Sequence, residues 1–112
     1  MNALNAPPER SIDVTEELQK NDRVNFNTLA QAGNVRGENY YNFRPTRIIL
    51  CGNEDQGQGT ANETYNVTGA LLTDDPNKAN VFTLRANVVH ELAFNVIRAT
   101  TAPRIIVLGI NP

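Results

Sequence analysis

A chain of 112 residues is the size of one domain, and folding at that length buries roughly two thirds of the surface the unfolded form exposes, so a core needs neither metal nor disulfide. The net charge is -2 with a pI near 5.3, which leaves no basic excess for phosphates and excludes nucleic acid and anionic membranes as first expectations. One cysteine, Cys51, and one histidine, His90, supply no soft-ligand set, so no metal and no cofactor is expected.

The start, Met1 to Pro8, has no basic n-region and no apolar h-region, and no later stretch approaches the roughly 20 apolar residues of a membrane span. The expectation is a protein made in the cytoplasm. Without a secretory signal, Asn62-Glu63-Thr64 and Asn66-Val67-Thr68 read as polar strand residues rather than glycosylation sites. Lysine stands only at Lys20 and Lys78 while asparagine is abundant. A surface of amides and hydroxyls loses less side-chain entropy when it is covered than one of lysines, and lysine is depleted at interfaces.

Residues 1–22 read as an extended arm: two prolines, no sustained apolar period, and Ile12, Val14 and Leu18 as anchors. Asp13 followed by Glu16 is a capping signal that predicts a short helix over Val14 to Lys20. So short a helix needs a surface to lie on, either its own domain or a neighbouring subunit.

Residues 23–112 read as a β domain, a small antiparallel sandwich or barrel. Val24, Phe26 and Thr28 alternate with polar residues and predict a half-buried strand. Gln31 to Asn39 breaks it, and Tyr40, Tyr41 and Phe43 open a new extended piece. Pro45 restricts Arg44 to extended backbone at a strand start or edge, and the β-branched run Thr46 to Cys51 predicts a strand inside the sheet.

Gly52 to Asn62 predicts an exposed loop. Tyr65 to Leu71 alternates as a strand, Thr73-Asp74-Asp75-Pro76-Asn77 is turn sequence, and Val81 to Ala86 pairs back. Val88 to Ile97 predicts one long strand, bulged near His90. After a reversal at Ala99 to Pro103, Arg104 to Ile110 is a nearly continuous apolar strand that must be covered on both faces. Burial in the central sheet achieves this within one domain, and addition to the sheet of another subunit is the alternative.

Catalytic constellations are thin. The Gly52-to-Gly59 loop lacks the lysine and the following helix of a phosphate loop, and the acids Glu54, Asp55, Asp74 and Asp75 lack the spacing of a calcium loop. His90 and Glu91 are neighbours on a strand and point to opposite faces. Nothing beside Cys51 suggests a lowered pKa. The reading is therefore a non-enzymatic protein. Of the paired Tyr40 and Tyr41, one must face out, and that one is a contact candidate, for a protein or for a sugar with Asn42. Arg44, Arg47, Arg85, Arg98 and Arg104 stand at strand ends or exposed faces, suited to pairing with acids.

The progression Arg47-Ile48-Ile49-Leu50-Cys51-Gly52-Asn53, an acidic Gly-rich loop, and then Tyr65-Asn66-Val67-Thr68-Gly69 resembles strand pairs in small virion proteins of tailed bacteriophages, including capsid decoration (cement) proteins. The resemblance implies a β-sandwich or barrel with a terminal arm, present in many copies, located in the virion and clamping capsid subunits together. Its partners would be the major capsid protein or other virion proteins, and a homo-oligomer, dimer or trimer, is expected. A neck or tail component and a small carbohydrate- or ligand-binding module are the alternatives. The expected partner contacts are Ile12, Val14, Leu18, Tyr40, Tyr41, Arg44 and Ile110.

Overall fold

A computed structural model describes residues 8–52 and 63–111. The described chain runs β1 (Glu9–Asp13), α1 (Thr15–Asn21), β2 (Val24–Asn25), α2 (Phe26–Ala32), β3 (Asn34–Val35), β4 (Glu38–Asn39), β5 (Arg44–Cys51), β6 (Thr64–Leu71), β7 (Asn80–Arg85), β8 (Val89–His90), β9 (Phe94–Thr100) and β10 (Arg104–Ile110). Two antiparallel four-stranded sheets form a sandwich. One sheet has the order β1-β10-β5-β8 and the other β2-β9-β6-β7, while β3 and β4 make a small hairpin. The exposed loop expected at Gly52 to Asn62 falls, beyond its first residue, outside the described residues.

The core lies between the sheets. Ile12 from β1, Ile48 and Leu50 from β5, and Ile105 and Val107 from β10 meet Val24, Val67, Phe94 and Ile97 of the opposite sheet, and each is at most 1% exposed. Alternation drives this arrangement, because a period of two places Ile105, Val107 and Gly109 on one face of β10 and Ile106, Leu108 and Ile110 on the other.

The segment read as an arm belongs, over residues 8–22, to the sandwich itself. β1 pairs along β10 from Glu9↔Ile110 to Asp13↔Ile106. Ile12 and Val14 are wholly buried, and Leu18 packs on the core. The reason is geometric: β10 is an inner strand and needs a neighbour on each side, and β1 is the second neighbour. The helix starts one residue later than expected, with Asp13 Oδ1 accepting from the Thr15 amide at 3.0 Å.

Two strand expectations fail for identifiable reasons. After Val24–Asn25 the chain turns helical, because the Asn25 side chain caps α2 by accepting from the amides of Asn27 and Thr28, and Phe26 and Leu29, three apart, bury together. The long strand expected from Val88 to Ile97 is two strands in different sheets. The Leu92 amide donates to the His90 carbonyl at 2.8 Å, and across this turn the chain leaves β8 in one sheet and enters β9 in the other.

Bulges re-aim two strands where side chains are absent. The β6–β9 register shifts at Thr68/Gly69, and a Cβ on Gly69 would stand 2.1 Å from the Val96 carbonyl oxygen. The β10–β5 register shifts at Leu108/Gly109, where a Cβ would meet the Phe43 ring at 2.4 Å and the Arg44 carbonyl oxygen at 2.5 Å.

Candidate protein-contact face

The outer face of the β1-β10-β5-β8 sheet is assembled by register. Ile106 of β10 stands opposite Ile49 of β5, and Ile49 stands opposite Val89 of β8, making an apolar row across three strands. Leu108 and Ile110 continue the stripe along β10, opposite Arg47 and Arg44. Ile49, Ile106, Leu108 and Ile110 are half-buried, and Val89 is 40% exposed.

Charged pairs lie beside this stripe and, at Arg47 and Glu9, cross it over β10. Arg47 Nε donates to Glu9 Oε2 at 3.0 Å, its Nη2 donates to Glu9 Oε1, and the Thr46 hydroxyl donates to Glu9 Oε2 at 2.8 Å. Arg47 Nη1 also lies 3.8 Å from Glu91 Oε1, and Arg104 Nε donates to Asp13 Oδ2 at 2.9 Å. The hydrogen bonds from Arg47 and Thr46 hold the Glu9 carboxyl below its ordinary pKa. Burial pushes the Asp13 carboxyl up, but hydrogen bonds from the Thr15 hydroxyl and amide, with Arg104, outweigh it and leave it lowered. The face thus combines an apolar row, Ile106, Ile49 and Val89, with paired charges next to it.

Three of the residues expected as contacts meet at one end of this face. Ile110 pairs with Arg44, and Asn111 Nδ2 donates to the Tyr41 carbonyl at 2.7 Å. Arg10 fastens the corner, donating from Nε to Asn111 Oδ1 at 2.8 Å while its guanidinium lies 4.8 Å from the centre of the Phe43 ring. Tyr41 is 60% exposed, held outward by Asn39, whose Oδ1 accepts from the Tyr41 amide at 2.9 Å.

The other expected contacts lie elsewhere. Ile12 and Val14 are core residues of their own molecule, and Leu18 is half-buried against that core. Tyr40 is only 2% exposed, its ring 6.2 Å from that of Phe26. Burial pushes its hydroxyl pKa up to about 12, with Glu17, Glu38 and Asp13 adding to the effect. Tyr40 and Tyr41 therefore do not form a shared platform. β10 has both edges occupied, by β1 and β5, so its backbone is not available for addition to another sheet.

The polar groups weighed for chemistry are separated. His90 Nε2 hydrogen-bonds the Arg85 carbonyl at 2.8 Å, toward the opposite sheet, while Glu91 lies exposed on the Arg47 side. A groove of about 610 Å³ is lined by Asp13, Glu17, Lys20, Arg36, Tyr40 and Arg104 among others. Its deepest acid, Glu17, is 6% exposed and accepts from Arg36 Nε at 3.1 Å. Among the described residues no three His, Cys, Asp or Glu side chains are grouped to hold a metal ion, and no helix is long and apolar enough to cross a membrane.

Comparisons with family models, with curated proteins and with solved structures returned no match.

Sequence reading missed Ile49, Ile106, Leu108 and Val89 as one surface, although the signal was present. An apolar run unbroken by polar alternation, as in Arg104–Ile110, leaves half of its side chains facing away from a two-layer core. Which strands extend that stripe depends on pairing partners distant in sequence.

Proposed function

We propose that this chain is a non-enzymatic virion structural protein of the capsid decoration (cement) type, which reinforces a shell by laying the outer face of its β1-β10-β5-β8 sheet against capsid subunits. The observation that carries the docking part is the apolar row Ile106, Ile49 and Val89, bordered at one end by the Asp13–Arg104 pair and along its side by the Glu9–Arg47 pair, which crosses β10 beside Leu108 and Ile110. The virion part rests on the resemblance of the Arg47–Asn53 and Tyr65–Gly69 segments to phage virion proteins, and a neck or tail position is compatible with the same face. The contact surface differs from the arm first expected, because Ile12 and Val14 are consumed by the protein's own core.

Burial of half-exposed aliphatic side chains supplies affinity, at roughly 25 cal/mol per Å² of apolar surface removed from water before the costs of association. The paired charges supply register and reject mismatched partners.

The test is cosedimentation of the purified protein with virus particles from its own source. Val89→Lys combined with Ile106→Lys should reduce particle-bound protein at least tenfold while the circular dichroism spectrum is retained. Wild-type protein that does not sediment with particles, or a double variant that binds as well as wild type, defeats this reading.

A further inference from the structure

Among the described residues the sandwich has four strand edges, and three are protected. β2 and β8 have two residues each. β1 carries the paired Glu9 and Asp13, and its Arg10 Nη2 donates to the carbonyl of Asn39, the last residue of β4. The fourth, β7, is six residues long with no acidic residue, proline or lysine, and its Val81 is 64% exposed, the highest value among the exposed large hydrophobic side chains. An edge of that kind is a template for another strand.

The direction of its backbone groups follows from the ladder. Just past the strand end the Ala86 amide donates to the Glu63 carbonyl, whereas the Asn66 carbonyl turns away from β7 to accept from the Thr101 amide. Antiparallel pairs alternate between bonded and non-bonded, so Leu84 and Phe82 bond toward β6, and Val81, Thr83 and Arg85 direct their N–H and C=O groups outward. Asn66 and Thr83 are a non-bonded pair by this count, which agrees with their side chains meeting, Thr83 Oγ1 donating to Asn66 Oδ1 at 2.8 Å. The Arg85 carbonyl is occupied by His90 Nε2 at 2.8 Å. Among the described residues the open section of the edge is therefore Val81 and Thr83, with Phe82 at its centre.

We propose that β7 pairs antiparallel with β7 of a second copy of this chain about a two-fold axis at Phe82, joining the β2-β9-β6-β7 sheets of the two copies into one. In this register Val81 of each copy faces Thr83 of the other, and both exchange N–H···O=C bonds. The bonded positions are the outward-directed pair that His90 leaves open, and the ladder stops where His90 caps it. Phe82 meets its own symmetry mate as a non-bonded pair, the position in which cross-strand side chains are closest. Its ring already packs edge-on against Phe94 at 5.1 Å, so the contact extends the core. The only charge on the strand, Arg85, falls at opposite ends of the two copies, so no like charges oppose. This edge is separate from the outer face of the β1-β10-β5-β8 sheet, which a dimer so formed leaves available.

Sedimentation equilibrium should show a mass that rises with concentration from 12.4 kDa toward twice that value. Val81→Lys with Thr83→Lys should weaken dimerisation at least tenfold, and so should Val81→Glu with Thr83→Glu, because each places like charges opposite one another. Mixing the two variants should restore a dimer, which also shows that both are folded. A wild-type protein monomeric up to about 1 mM, or charge variants that dimerise as wild type does, overturns the pairing. Particle binding by Val81→Lys, Thr83→Lys protein is read separately, so loss of the dimer and loss of shell docking are distinguishable.

Discussion

At Gly69 the absent side chain is itself structural. The β6–β9 ladder closes only because the Val96 carbonyl occupies the space a Cβ would take, 2.1 Å from its position. Gly69→Ala must therefore push two central strands apart, and the obstructing atom is backbone, which has no alternative rotamer. We expect a loss of about 2–4 kcal/mol in denaturant unfolding, read as a lower midpoint with unchanged slope. The sequence places Gly69 on an alternating strand but does not show the neighbour that demands a glycine there, since Val96 lies far along the chain, beyond β7 and β8. Tyr40 and Tyr41 teach the same lesson. Sequence reasoning required one of the pair to face out, and Tyr41 does; that Tyr40 would be walled in by Phe26 on α2 and lie beside Glu17 of α1 depended on helices packed from elsewhere in the chain.

At the scale of elements, β1 is a strand whose place is secured on one side by β10 and on its outer face by carboxylates. Glu9 and Asp13 both have folded-state pKa values below their ordinary ones. Their contribution to stability is therefore present above the unfolded carboxylate range, about pH 4, and is lost as the pH falls through the lower folded values. Acid should loosen β1 before β5 or β10. Hydrogen exchange corrected for intrinsic rates should show β1 amides losing protection as the pH falls below about 4, while those of Ile48 and Val107 hold; equal loss across the sheet would contradict this assignment. Elements with strong local signals were legible at this scale: Tyr65 to Leu71, the Thr73 to Asn77 turn and its return strand, and the helix beginning near Asp13. α2 was not, because Val24, Phe26 and Thr28 satisfy a period of two while Phe26 and Leu29 satisfy a helix, and the Asn25 cap tipped the choice.

For the whole molecule, the first and last described strands are neighbours, which makes residues 8–22 part of the cooperative unit. Removing residues 1–20 deletes Ile12 and Val14 from the core and strips β10 of one partner. Two buried aliphatic side chains at about 1–4 kcal/mol each are comparable with the entire stability of a small domain. We expect the truncated protein to be unfolded or aggregated by circular dichroism and light scattering; a soluble, cooperatively melting product would show that β1 is dispensable. Assembly experiments that rely on such a truncation would report loss of fold, so point changes at Val89 and Ile106 are the better probes of docking.

Composition, the period-two runs and the turn residues determined by themselves that this chain forms a small all-β domain, because those signals act between residues close in sequence. The pairing of β1 with β10, the switch of the chain between sheets after His90, and the apolar row Ile106, Ile49 and Val89 were decided only by tertiary structure. Each joins residues tens of positions apart, and a one-residue change in any register would have sent the same side chains to the opposite face.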